Sequence, residues 1–428
     1  MAIAEILSMA QSGAFDAAQA TRAYLDAMPA DQAAQTADYH EGQIWLIPIS
    51  TAVSLLIYWL TLQTGFVRGL RDKLEAMMPN WLSIFPFIFV FTLVTSIVSL
   101  PFTYYVAFIR EHKYGLATQT TTEWMIEWAQ GLGLSLIIGT LALGILYLLI
   151  RAFKRTWWIW GTVASAAFIY AMMTFSPAYI DPIFNDYTPL EEGQLRDDLL
   201  AMAASENIPV DDVVVYTSSD QSNRITANVS GIGDSIRIAL GDTMIDQAEL
   251  DEIRYVMAHE MGHYKLGHTT RGIVFLSSMA LLGFVFVHFG FGWANRRFGG
   301  SWGIRDIGDV AGMPLFFGIL AIFSTLMTPI QYNYVRIGEV EADIFGLEIS
   351  RNPDGMATSA LRLSTYRELE PEPWEELLFR HHPSGSSRIT MAMEWKAAQL
   401  AAGADDQNTD LELERARSIF EIDEADSD

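Results

Sequence analysis

The sequence predicts a mainly α protein, a multi-span transmembrane helix bundle capped by a mostly helical domain with a small β-sheet. Three observations predict it. Hydrophobic residues make up 51% of the chain, charged ones only 18%, and the mean hydropathy is positive. Six stretches, residues 42–67, 76–109, 128–150, 156–180, 272–295 and 310–335, carry no Asp, Glu, Lys or Arg. Each exceeds the roughly 20 residues that a helix needs to cross a bilayer. The segments after the fourth and sixth stretches are charged and helix-prone, the composition of a water-facing domain. Burying six such helices in a soluble core would demand a larger globule than 428 residues provide. Pro86, Pro101, Pro314 and Pro329 fit this reading, because neighbouring membrane helices can satisfy the carbonyls a proline frees.

In chain order, residues 1–40 form an N-terminal tail. They lack a basic leader and a continuous apolar core, so they do not read as a secretory signal. They read either as a short amphipathic helix over residues 3–27 or as a loose end. Residues 41–180 hold four transmembrane helices, and residues 181–271 the first part of the water-facing domain. There Asp212–Tyr216 and Ile236–Leu240 are rich in β-branched residues and read as strands. Between them lies Thr226–Gly231, which by itself suits a hairpin turning at Gly231–Asp234. Residues 272–335 supply two more spans, residues 336–403 the second part of the domain, and residues 404–428 an acidic tail. From Asp405 that tail has 10 acidic and 2 basic residues, a solvated end.

The chemistry concentrates at His259-Glu260-Met261-Gly262-His263. Residues four apart share a helical face, so His259 and His263 can point at one metal ion, for which zinc is the expectation at one per chain. Glu260 sits one step round the helix, within reach of a proton on a water at that metal. No proline interrupts residues 249–271, and the helix is expected to continue through Tyr264-Lys265-Leu266-Gly267-His268. A metzincin would carry a further His at position 269, which is Thr269. His268 reads as a polar neighbour of the site rather than a ligand. A catalytic zinc wants three protein ligands and an open position. Glu339 and Asp343 are four apart, while Glu341 points elsewhere, so one can be a metal ligand and the other the acceptor that fixes a histidine ring.

The decapeptide 259–268 resembles the zinc motif of the membrane-embedded CAAX prenyl endopeptidases, a family that includes bacterial membrane metalloproteases. Four more segments follow in that family's order: Glu111–Leu116 with Gln119-Thr120, Pro182–Asn185 with Thr188–Leu190, Arg336-x-x-Glu339-x-x-Ala342-Asp343, and His382-Pro383 with Arg388-Ile389. The resemblance runs from about residue 45 to 395 and implies a zinc-metalloprotease domain on the helix bundle. It implies His259, His263 and Glu339 as zinc ligands, Glu260 as general base and Asp343 as a carboxylate orienting a ligand. It places His382 and Arg388 beside the bound peptide as oxyanion donors. It makes 226–231 an edge strand that holds the substrate backbone, with Asn228 and Gly231 as contacts. Val229-Ser230 stand where the family shows Ala-Tyr, so the aromatic ring is missing. Family members from eukaryotes often carry one span more than the six legible here.

Composition also excludes. With no cysteine there is no disulfide, thiolate ligand or cysteine nucleophile. The net charge of −24 argues against nucleic acid as a partner. The expected partners are the lipid bilayer and a peptide or protein substrate, lipid-modified if the CAAX reading holds. Three functions stay open: an endopeptidase for membrane-associated or prenylated peptides, a quality-control protease for misfolded membrane proteins, and an inactive scaffold. Retention of Glu260 argues against the third. Orientation divides the arguments. Loops 68–75, 151–155 and 296–309 share one side and hold nine Lys or Arg, against Arg110 and Lys113 in the short loop opposite, which puts the zinc domain outside. The resemblance puts it on the cytoplasmic face, and that is the expectation adopted.

Overall fold

The computed structural model describes residues 15–210, 212–231, 236–404 and 415–420. Residues 3–14 of the expected amphipathic helix, most of the acidic tail and the turn at 232–235 lie outside the described residues. Among those described, six helices are long and apolar enough to cross a membrane: α2 (Ala30–Gln63), α4 (Ile84–Lys113), α5 (Thr121–Ala152), α6 (Trp157–Tyr179), α10 (His268–Trp302) and one running to Ser350, whose α-helical part is α11 (Met313–Ser350). They coincide with the six uncharged stretches. The chain divides into two compact units. One comprises Ile44–Ser176 and Thr269–Thr328, the other Met1–Gln43, Pro177–His268 and Pro329–Asp428.

The first unit is the apolar one. Its core is aromatic and branched, with Ile84, Phe87, Ile150, Trp157 and Phe316 almost wholly buried. Large apolar side chains also face outward, among them Phe289 at 71% and Trp293 at 63% exposure. Hydrocarbon is the solvent such a surface suits. Helix α4 includes a π-helical turn at Tyr105–Ile109 and α5 one at Ser135–Gly139. The loop between them is closed by His112, whose Nε2 lies 2.9 Å from the Gln119 carbonyl. The Thr120–Glu123 capping box then starts α5. One ion pair is buried here. Arg71, on α3 (Phe66–Met77), donates to Asp309 at 2.5 Å and to the Gly303 carbonyl at 2.9 Å.

The second unit is built around α9 (Leu250–Lys265). Glu249 and Glu252 form a capping box at its start, and the buried Glu252 pairs with Arg362 at 2.9 Å. One face of α9, through Ile253, Met257 and Met261, packs on the sheet and on α7 (Gln194–Ser205). Tyr255 faces a second core, shared with α12 (Pro353–Leu363) and α14 (Gly385–Ala401). The sheet has the order β1 (Tyr187–Pro189), β2 (Val213–Tyr216), β4 (Arg237–Gly241), β3 (Ala227–Ser230). Only the β2–β4 pair is parallel. Strand β3 therefore has one free edge, and it packs beside α9.

Of the two expectations for the N-terminal segment, the helix is realised over α1 (Ala17–Leu25), capped by Asp16. It is no tail. Tyr24 is fully buried among α12 and α14 residues, and its hydroxyl donates to Asp354, which also holds the buried Lys396 at 2.6 Å. The period of 1–27 shows an apolar stripe but not the surface that receives it.

Candidate metal centre

Helices α9 and α11 cross where both carry glycine. A Cβ on Gly262 would come within 3.3 Å of the Ala342 Cα, and one on Gly346 within 3.2 Å of the His259 backbone nitrogen. That close approach sets the imidazoles of α9 against the carboxylates of α11. His259 Nε2 and His263 Nε2 are 3.1 Å apart. The Glu339 carboxylate lies 3.5 Å from the first and 3.4 Å from the second. Bonds of about 2.0–2.1 Å in a tetrahedron give ligand–ligand edges of about 3.3 Å. The two contacts use different carboxylate oxygens, Oε2 and Oε1, and all three separations are close to that edge length. Donor atoms of His259, Glu260 and His263 also lie within 4.8 Å of one another.

Each ring is held from behind. His259 Nδ1 approaches Asp343 Oδ1 at 2.8 Å, at an angle outside that of a hydrogen bond, so this is a close charge contact. Asp343, fully buried, also accepts from Tyr255 Oη at 3.0 Å and from Arg388 Nε at 2.8 Å. His263 Nδ1 lies 2.8 Å from His268 Nδ1, and His268 Nε2 lies 2.9 Å from Glu341. A carboxylate only accepts, so His268 donates to Glu341, its Nδ1 accepts from His263, and His263 Nε2 keeps its lone pair for a metal. Burial disfavours a charged His259, yet Asp343 and Glu339 outweigh it and push the ring up to about 10. Two imidazoles with a carboxylate are a donor set that suits zinc.

The expected continuous helix through His268 is not found. Gly267 has φ 68°, α9 ends at Lys265, and α10 begins at His268. The left-handed turn brings His268 back against His263, a contact that an unbroken helix would not make at that spacing. Glu341 does point away from the metal face, as read from the sequence, and it meets His268.

His382 Nδ1 lies 2.6 Å from Glu339, to which it donates. Burial and the neighbouring Arg367 lower His382 to about 3, so the ring is neutral and its Nε2 is an acceptor. Arg388, buried, donates Nε to Asp343 and Nη2 to Glu339 at 3.0 Å. Both residues expected as oxyanion donors thus also contact the metal-side carboxylates. Burial raises Glu260 above its ordinary value, against the pull of His259 and His263. Glu260 lines a cavity of about 140 Å³ with His259, Glu339, His382, Arg388 and Ala227 of β3. Asn228, opposite Ala239, sits on that edge strand, and Gly231 follows it with φ 108°.

Tyr255 and Arg367 were not singled out in the sequence, and Glu341 was read there only as pointing away from the metal face. Tyr255 carried a signal, lying four residues before His259 on the same face. Glu341 and Arg367 carried none, since their places depend on a turn and on the end of α12.

Residues 189–396 match the model of peptidase family M48, and residues 16–186 match the model described as CAAX prenyl protease N-terminal, five membrane helices. Among the described residues, four of the long apolar helices lie in that second stretch. The chain is 27% identical over 368 residues to the uncharacterized metalloprotease YhfN of Bacillus subtilis, covering 85% of this chain and 86% of that protein. It is 27% identical to CAAX prenyl protease 1 of Saccharomyces cerevisiae over 317 residues, 69% of each chain. The crystal structure of S. mikatae Ste24p has the same fold, with a TM-score of 0.70 at 23% identity, covering 86% of this chain and 89% of that one.

Proposed function

Because the chain belongs to peptidase family M48 and is an integral-membrane metalloendopeptidase, we propose that it hydrolyses peptide bonds of membrane-associated substrates, prenylated CAAX-type peptides among them. The observation that carries the reading is the triangle of His259, His263 and Glu339 beside Glu260, on a cavity that reaches the edge strand β3. Zinc held by those three side chains would supply the Lewis acidity that polarises a scissile carbonyl and acidifies a water. Glu260 takes the proton of the attacking water and returns it to the leaving amine. Its raised carboxyl is better matched to that proton than an exposed glutamate would be. Asp343 orients His259, and His268 with Glu341 orients His263. His382 and Arg388 position Glu339, and Arg388, with N–H groups to spare, is also the proposed oxyanion donor. The free edge of β3, with Asn228 and Gly231, receives the substrate backbone as an added strand. The catalytic face is proposed to be cytoplasmic; active alkaline phosphatase fused at Asp428 would reverse that.

One observation favours a second reading. The bacterial metalloprotease is matched over more of this chain than the yeast CAAX protease is, so an unprenylated membrane protein is the alternative substrate. The test is cleavage of a farnesylated CAAX peptide beside an unmodified membrane protein, with and without chelator. Glu260→Gln should lower turnover by roughly 10²–10⁴-fold, the range of general-base catalysis, while one zinc per chain is retained. Zinc lost from a folded Glu260→Gln protein, or cleavage indifferent to chelator, would reject these roles.

A further inference from the structure

Several cationic and imidazole groups around the metal face are held by hydrogen bonds, and Arg367 differs from them. Arg388 serves Asp343 and Glu339, His382 serves Glu339, and His263 serves His268. Arg367 also lines the cavity, beyond the end of α12 and beside Leu363. Its backbone N–H closes a turn to the Leu363 carbonyl. Its guanidinium carbon stands 5.8 Å from the Tyr366 ring centroid. Among the described residues no side-chain hydrogen bond or ion pair reaches it.

The guanidinium is partly buried, and Glu260, Glu339 and Asp343 act on it only through space, so its N–H donors are open to a group entering the cavity. Burial and the nearby Arg388 weaken the charged form, Tyr366, Glu339 and Asp343 act the other way, and the guanidinium keeps its proton. Such a group is stabilised when an anion enters the cavity. Its planar fork of N–H donors matches a carboxylate with two parallel hydrogen bonds. The cavity of about 140 Å³ has room for such a group beside the reacting bond, with Arg367 on the α12 wall and Ala227 of the edge strand also on its lining.

We propose that Arg367 is a substrate-recognition residue, binding a carboxylate of the peptide close to the scissile bond. The proposal rests on the peptidase reading above and deepens it, since it names the chemistry that the substrate must present. The carboxylate is either the peptide's own C-terminus or an acidic side chain near the cleaved bond, and the two are separable.

The experiment uses full-length, zinc-loaded protein in detergent carrying Glu260→Gln, so that binding is read without turnover. Four farnesylated CAAX peptides serve as probes: a free acid, its C-terminal amide, and each with Glu or Gln beside the scissile bond. Calorimetry should give a preference of about 10- to 100-fold for one carboxylate-bearing member over its neutral counterpart, the range of a charge-assisted pair. Adding Arg367→Gln should reduce that ratio to near one, and Arg367→Lys should retain part of it. Ratios within one variant are insensitive to any misfolded fraction. Collapse of the acid-to-amide ratio identifies the terminal carboxylate, and collapse of the Glu-to-Gln ratio the side chain. Ratios that survive Arg367→Gln, or that are near one in the parent, overturn the proposal. Cleavage of the same peptides by protein with native Glu260 tests the peptidase reading separately: no chelator-sensitive cleavage there defeats that reading, whatever the binding ratios show.

Discussion

Each unit of this protein buries one arginine against one aspartate, and the two pairs have different consequences. In the apolar unit Arg71 and Asp309 have side chains 7% and 1% exposed. Every neighbour of Asp309 is a structural one: Arg71, the backbone and side chain of Arg305, and the Ala311 backbone nitrogen. In the other unit Arg388 and Asp343 are as deeply buried, at 8% and 1%. Asp343, however, faces a histidine on the lining of a cavity, and Arg388 also holds Glu339, a carboxylate on the same lining. A buried pair closed on all sides pins a loop. The same pair left open on one side holds a reactive geometry, and its stabilising role passes into the metal centre.

The largest expected effect tests the closed pair. Asp309→Ala removes the buried partner of Arg71, which keeps only the exposed Asp72 at 2.8 Å, and should destabilise the fold by about 1.5–3 kcal/mol. Thermal unfolding in detergent reads this, and the zinc content of the chains that remain folded should not change. A loss of zinc with no loss of stability would erase the distinction between the two pairs.

The open pair should behave in the opposite way. Asp343→Ala is expected to weaken zinc affinity by roughly 10–100-fold, the scale for losing a residue that orients a ligand. Chelator competition measures it. His268→Ala should cost less, about 10-fold at most, because His263 retains its place on α9. His268→Asn should recover most of that, since its side-chain oxygen can still accept from His263. If Glu341→Ala strips zinc more completely than Glu339→Ala, the assignment of ligand and support is reversed.

The smallest effect concerns acid. Asp242, which opens α8 (Asp242–Gln247), accepts from Ser218 Oγ and from the backbone nitrogens of Ser219 and Thr243, each at 2.8 Å. Burial alone would raise its carboxyl, but these donors outweigh burial and hold it below the ordinary 3.8. A depressed carboxylate contributes stability above its unfolded value and loses it as pH falls through the folded one. Asp242→Asn should therefore cost about 1 kcal/mol at neutral pH. It should also flatten the decline in stability below about pH 4, since the titrating group is gone. Equal acid sensitivity in both proteins would exclude Asp242 as a contributor.

Much of the architecture and the inner ring of the site were legible in the chain. The six spans are legible because hydrocarbon has no partner for charge, so a membrane helix declares itself by composition. His259 with His263, and Glu339 with Asp343, are legible because four residues make nearly one helical turn. Tyr255 was within reach of the same rule. His268 was legible as a neighbour but not in its contact, since that depends on the left-handed turn at Gly267.

What the sequence determined by itself was therefore local: which segments are apolar, which residues share a helical face, and which side chains can ligate a metal. Only the tertiary structure decided which faces meet. It set α9 against α11 at Gly262 and Gly346, joined Glu341 to His263 through His268, and turned Arg388 toward carboxylates 45 and 49 positions away. It also put Arg367 on the cavity lining, where among the described residues it makes no ion pair. The physical reason is that helical periodicity is a short-range property of the backbone. A contact between distant residues depends instead on how separate helices pack, and no spacing along the chain records that.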